Sequence, residues 1–234
     1  MANAETTFAD RLGRGNLLKS ICEALDPAFA PADAENTPAV FQVLLDSCQT
    51  KNTAVENART LYSTGAVERR VLVKNFKTIS GRTLTNCESV KAYKPFAKTV
   101  RQVVRRISNY KLPKKDKPQD PNKKKRNRGT QSYAELENLF RLLFDTLTGI
   151  PGYTHTEPTL QLPQIEIAFN DYKAKNTAMT AKEAAVNLRV KERFDVYNNK
   201  ETGLRDRMKE IKKAVRNQYG THSTQYLSVS GIKL

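Results

Sequence analysis

Apolar side chains recur at alternating steps of three and four between residues 162 and 197. Positions 162, 165, 169, 172, 176, 179, 183, 186, 190, 193 and 197 read Leu, Ile, Phe, Tyr, Asn, Met, Glu, Val, Val, Arg, Tyr, and eight of these eleven are apolar. That spacing predicts one long amphipathic helix, about 54 Å at 1.5 Å per residue. The positions 124 residues earlier read Pro38, Phe41, Leu45, Cys48, Asn52, Val55, Arg59, Tyr62, Ala66, Arg69 and Val73. They predict a second helix of the same kind, with Gly65 as a place to bend. Polar residues interrupt both stripes at matching places: Asn52/Asn176, Arg59/Glu183 and Arg69/Arg193. A polar residue in an apolar seam fixes register between packed helices at some cost in stability, and we read Asn52 and Asn176 in that way. Arg69 and Arg193 are expected to pair with a carboxylate across the bundle or to extend to the surface with their stems packed.

Shorter helices flank the long ones. Ser132-x-x-Glu135 is a capping-box signature. It opens a helix with Tyr133, Leu136, Phe140, Leu143, Phe144 and Leu147 inward, ended by Gly149, Pro151 and Gly152. Thr7-x-x-Asp10 predicts the start of a helix through Leu17, Leu18, Ile21 and Leu25 that ends at Asp26-Pro27. Another helix is expected from about Thr202 to Tyr219, and a counterpart from about Ser80 until Pro95 breaks it. A basic helix, Phe96 to Tyr110, carries Val100, Val103, Val104 and Ile107 on one side. No convincing strand is found; Tyr226-Leu227-Ser228-Val229 is the best short candidate, and it also suits a docked tail.

The two halves match beyond their periodicity. At an offset of 124, Lys51-Asn52-Thr53-Ala54 falls on Lys175-Asn176-Thr177-Ala178, Glu68-Arg69 on Glu192-Arg193, Asn75 on Asn199, and Pro27 on Pro151. At an offset of 125, Phe8-Ala9-Asp10 falls on Tyr133-Ala134-Glu135, and Leu17-Leu18 on Leu142-Leu143. Self-similarity at a fixed period predicts a duplication in which each copy is a structural unit. The expected fold class is therefore all-α: two tandem, internally duplicated antiparallel helical bundles of three or four helices each. Their expected boundaries are 1–110 for the first bundle, 111–131 for a Lys/Pro-rich basic linker, and 132–234 for the second bundle.

Charge sharpens that division. The 234 residues hold 40 Lys+Arg against 24 Asp+Glu, a formal net charge of +16. Residues 111–128 alone carry 9 basic and 2 acidic side chains, three prolines and one apolar residue, Leu112. Such a stretch cannot bury enough surface to offset its ordering entropy, so a cationic tether between the bundles is expected.

Mean hydropathy is −0.62 and no apolar run reaches 18 residues, so no membrane insertion is expected. The first fifteen residues lack a basic n-region and an apolar h-region, so no secretory signal is expected. Three widely spaced cysteines (Cys22, Cys48, Cys87) on apolar helical faces read as unpaired core thiols in a reducing, cytoplasmic setting.

The search for catalytic patterns points away from an enzyme. His155 and His222 lie in turns. There is no HExxH, no Cys/His cluster, no GxxxxGK[ST], no GxGxxG and no GxSxG. No catalytic residue, cofactor or metal site is therefore expected.

The strongest functional signal is the basic strip 98–128, with 13 basic and 2 acidic residues. Its candidate polyanion contacts are Lys98, Arg101, Arg105, Arg106, Lys114, Lys115, Lys117, Lys123, Lys124, Lys125, Arg126 and Arg128. Basic side chains at this density release condensed counterions from phosphate without reading sequence. Tyr110 is the only aromatic in the strip, so base stacking is not indicated. The expectation is a non-enzymatic helical interaction protein whose strip contacts nucleic acid or another polyanion. The alternative is a structural subunit that self-associates through two similar bundles, with the linker a passive spacer.

Overall fold

The computed structural model describes residues 2–110 and 132–233, with side chains from Phe8 onward. Seven α-helices are present among them: α1 (Ala2–Glu23), α2 (Pro38–Ser89), α3 (Lys94–Asn109), α4 (Tyr133–Thr148), α5 (Leu162–Asn198), α6 (Leu204–Tyr219) and α7 (Thr224–Ser230). Short 3-10 turns, Ala34–Asn36 and Pro158–Leu160, precede α2 and α5. No strand occurs among the described residues. The expected linker 111–131 lies outside the described residues.

The periodic signal at 162–197 corresponds to α5 almost to the residue. Ser132 caps α4 as its sequence predicts, accepting from the Glu135 N–H at 3.1 Å. Three expectations are corrected. The helix expected from Thr7 begins at Ala2. The strand candidate at 226–229 is helix α7, which packs on α6 and buries Val229, and which Ser223 caps by accepting from the Tyr226 N–H at 3.0 Å. The break expected before Ser80 is absent, because α2 runs unbroken for 52 residues, about 78 Å. Ser80 and Thr83 are fully buried there, yet neither is orphaned. Their hydroxyls donate to the Lys77 and Ser80 carbonyls at 2.8 and 3.0 Å, which lets polar residues stay inside a helix.

The chain forms two compact units, composed differently from consecutive stretches 1–110 and 132–234. The first unit takes residues 1–61 and 183–234, and the second takes 62–182. The physical reason is the length of α2 and α5, each of which contributes one half to each unit.

In the first unit, α1 packs against α6 and α7. Its core joins Leu18, Cys22, Phe41, Leu45 and Cys48 to Tyr197, Met208, Ile211 and Val215. A Cβ on Gly15 would lie 2.6 Å from the Leu45 side chain, so glycine sets the close approach of α1 to α2. The Gln218 and Tyr219 side chains of α6 hold the loop after α1, donating to the carbonyls of Ala28 (2.9 Å) and Pro27 (2.6 Å).

In the second unit, α3 packs on α4. Its core joins Val73, Phe76, Val100, Val103 and Ile107 to Leu136, Phe140, Leu143, Ile165 and Tyr172. Phe76 and Phe140 stack with centroids 3.9 Å apart, and Tyr172 meets Phe140 edge-on at 4.9 Å. The Tyr93 hydroxyl holds the loop after α4, donating to the Gly152 carbonyl at 2.8 Å and accepting from the Thr154 N–H at 2.9 Å.

Candidate nucleic-acid interface

The basic helix foreseen in the sequence is α3. Pro95 falls in its first turn, where a missing N–H costs nothing. Ala97, Val100, Val103, Val104 and Ile107 are buried on one face. The opposite face exposes Lys94, Lys98, Arg101 and Arg105 at steps of four, three and four, with Arg106 beside them. These positions form one stripe on an α-helix. Lys94 was missed as a candidate, although stepping one turn back from Lys98 reaches it.

Arg101 is held by Glu88 at the end of α2, with Nε and Nη2 donating to Oε1 at 3.0 and 2.7 Å. No ion pair engages Lys94, Lys98, Arg105 or Arg106 among the described residues. The C-terminus of α3 is closed by Lys77, whose Nζ donates to the carbonyls of Ser108 (3.3 Å) and Tyr110 (2.8 Å). A cation on those last carbonyls also complements the helix dipole. Tyr110 is buried, and burial pushes its hydroxyl up to about 12. It therefore offers no ring for stacking. Both ends of the undescribed stretch, Tyr110 and Ser132, belong to the second unit. The candidates Lys114, Lys115, Lys117, Lys123, Lys124, Lys125, Arg126 and Arg128 lie outside the described residues.

Other chemistry is sparse. Among the described residues no cluster of three or more His, Cys, Asp or Glu side chains could hold a metal ion. His155 accepts the Glu157 N–H at 2.9 Å through Nδ1, and His222 is exposed. Cys22, Cys48 and Cys87 are buried free thiols. Burial pushes the first two up to about 12 and the third to about 11, far from the range of a nucleophilic thiolate. An open hollow of about 450 Å³ lined by Asn198, Lys200, Arg205, Asp206 and Lys209 adds a cationic surface to the first unit, and Lys209 pairs with Asp206 there. No helix among the described residues is long and apolar enough to cross a membrane.

Charged residues beside the polar seams pair across the long helices. Lys51 of α2 meets Glu192 of α5 at 2.9 Å in the first unit, and Lys175 of α5 meets Glu68 of α2 at 2.8 Å in the second. The matched words found in the sequence thus meet each other in space: Lys51 and Lys175 are 124 residues apart, as are Glu68 and Glu192. These contacts hold both carboxyls below their usual range, through the hydrogen bond from Lys175 on Glu68 and those from Lys51 and Arg189 on Glu192.

No family model, curated protein or solved structure matches the chain.

Proposed function

We propose that this protein is a non-enzymatic helical protein that binds nucleic acid or another polyanion without sequence choice. Its contact surface is the exposed stripe of α3 and the basic segment that follows it. The carrying observation is the stripe Lys94, Lys98, Arg101, Arg105, opposite a buried Val/Ile face and leading into nine basic residues at 111–128. Burial of Tyr110 favours backbone contact over base stacking.

Binding to random duplex DNA and RNA, titrated with salt, tests this. Replacing Arg105 and Arg106 by Gln lowers the slope of log K against log[salt] by about 2, since each lost phosphate contact removes about 0.9. Equal affinity and equal slope in that variant and in a charge-neutral 123–128 variant would overturn the reading.

We also propose that the chain is a duplication whose copies exchange halves. The 3-10 turns begin 124 residues apart, at Ala34 and Pro158, and so do α2 and α5, at Pro38 and Leu162. Each core then joins the front half of one copy to the back half of the other. A structural role by self-association is the second reading. It is favoured by matched exposed apolar residues, Leu17 with Leu142 and Val43 with Ile167. Sedimentation at low salt distinguishes it, because a strict monomer at high concentration excludes it. Unpaired, buried thiols suit a reducing compartment such as the cytoplasm.

A further inference from the structure

Helix α6 of the first unit repeats α3 of the second in a register of its own. The buried line along α3 is Tyr93, Ala97, Val100 and Val104, and that along α6 is Leu204, Met208, Ile211 and Val215. Each position of one line lies 111 residues from its match in the other. The offset falls from 124 to 111 because Tyr93 comes 18 residues after Asn75, whereas Leu204 comes 5 after Asn199. Packing follows the same correspondence. Helix α3 lies on α4 and α6 lies on α1, and α1 and α4 are themselves matched at an offset of 125.

In this register a basic residue follows each of the four buried ones in both helices. Lys94, Lys98, Arg101 and Arg105 of α3 fall on Arg205, Lys209, Lys212 and Arg216 of α6. Steps of four, three and four place each set in one stripe. The members also share their parts. The third is engaged within its own unit: Arg101 donates to Glu88, and Lys212 donates to the carbonyls of Ser230 (3.1 Å) and Ile232. The first and fourth are exposed in both helices, Lys94 and Arg105 in one, Arg205 and Arg216 in the other.

The α6 stripe opens on the hollow of about 450 Å³, where the exposed Lys200 joins Arg205 and Lys209 around one carboxylate, Asp206. The hydrogen bond from Lys209, helped by the charges of Arg205 and Lys200, holds that carboxyl below its usual range. Three cations and one anion leave positive charge in excess at the hollow, which attracts phosphate oxygens and releases their counterions. No ring lines it among the described residues, so it offers contact to backbone rather than to bases.

We propose that α6 carries a second nucleic-acid contact, in which Lys200, Arg205 and Arg216 hold backbone phosphates, so that each unit has its own binding helix. The ligand class rests on the polyanion reading of α3, and the site is separate from it.

Salt-titrated binding of the full chain to random duplex DNA tests the site. The background is an α3-neutral chain carrying Lys94→Gln, Lys98→Gln, Arg105→Gln, Arg106→Gln and a charge-neutral 123–128. It keeps salt-dependent binding. Adding Lys200→Gln, Arg205→Gln and Arg216→Gln lowers the slope of log K against log[salt] by about 2.7, since each lost phosphate contact removes about 0.9. All the substituted side chains in α3, in α6 and at Lys200 are exposed, so circular dichroism should show wild-type helicity in both chains. In the wild type, DNA at low salt shields Lys200 from amine acylation, and high salt removes the shielding. No binding in the α3-neutral chain, the same slope after the α6 substitutions, or an unshielded Lys200 would overturn the proposal. So would α6-dependent binding to phosphatidylglycerol vesicles without binding to DNA. The two sites fail separately. An α3-neutral chain that binds nothing, beside a wild type that binds, removes this site and leaves the α3 reading standing. An α3-neutral chain that binds like the wild type, and loses binding with the α6 substitutions, does the reverse.

Discussion

The second unit fills its centre with rings, and the first fills the corresponding places with small or aliphatic groups. Phe140 stacks on Phe76 and meets Tyr172 edge-on. The position 125 residues before Phe140 is Gly15, and the one 124 before Tyr172 is Cys48. The helices of the first unit therefore come close enough for the Leu45 side chain to occupy the space beside Gly15. The seams differ as well: Asn176 accepts from Arg69, whereas the Asn52 amide donates to the Tyr197 hydroxyl. One register of matched positions thus supports two packing solutions, because large and small residues are exchanged in groups rather than singly.

The contrast is broken most severely at its largest ring. Phe140→Ala removes a fully buried side chain from the aromatic stack and costs about 3–5 kcal/mol in denaturant unfolding. A cost below about 1 kcal/mol would mean that the stack does not organise the second unit. Gly15→Leu tests the opposite case. It forces a side chain into the space of Leu45 and costs about 1–3 kcal/mol, despite a gain of about 0.8 kcal/mol in helix propensity. A stabilised Gly15→Leu variant would show that the close approach of α1 and α2 does not depend on glycine.

The smallest expected effects come from the matched ion pairs. Lys51→Met and Lys175→Met each free one glutamate, Glu192 and Glu68. Both carboxyls have lowered folded values, so their contribution is present above the ordinary glutamate range near about 4.3 and is lost as pH falls through the lower folded values. Carboxyl titration by NMR should show Glu68 moving up towards its ordinary value in Lys175→Met. In Lys51→Met, Glu192 should move up less, because Arg189 still donates to it at 2.9 Å. Equal shifts would contradict the role assigned to Arg189.

Local structure was legible wherever a helix carries its own signal. The stripe of α5, the Ser132 cap and the Val/Ile face of α3 each follow from residues a few positions apart. The start near Ser80 misled because it came from matching the helix at 202–219, whereas here the Ser80 hydroxyl bonds back to the Lys77 carbonyl inside α2. The 226–229 segment misled because β-branched and aromatic residues outweigh the Ser223 cap when read singly. The stripe of α3 was legible except for Lys94. The makeup of the units was not legible, since a helix face gives no address for its partner. The clue was available only in pairs: the Lys of each repeated word meets the Glu of the other.

The central claim is that each compact unit joins chain from both sides of residues 111–131, so cutting that stretch leaves both cores assembled. A site-specific protease sequence placed within 121–128 allows a single cut, followed by native mass spectrometry and circular dichroism. The account predicts that residues 1 to the cut and the cut to 234 remain a one-to-one complex with unchanged helicity, and that each fragment expressed alone fails to fold as a monomer. Release of two separately folded monomeric fragments would contradict it.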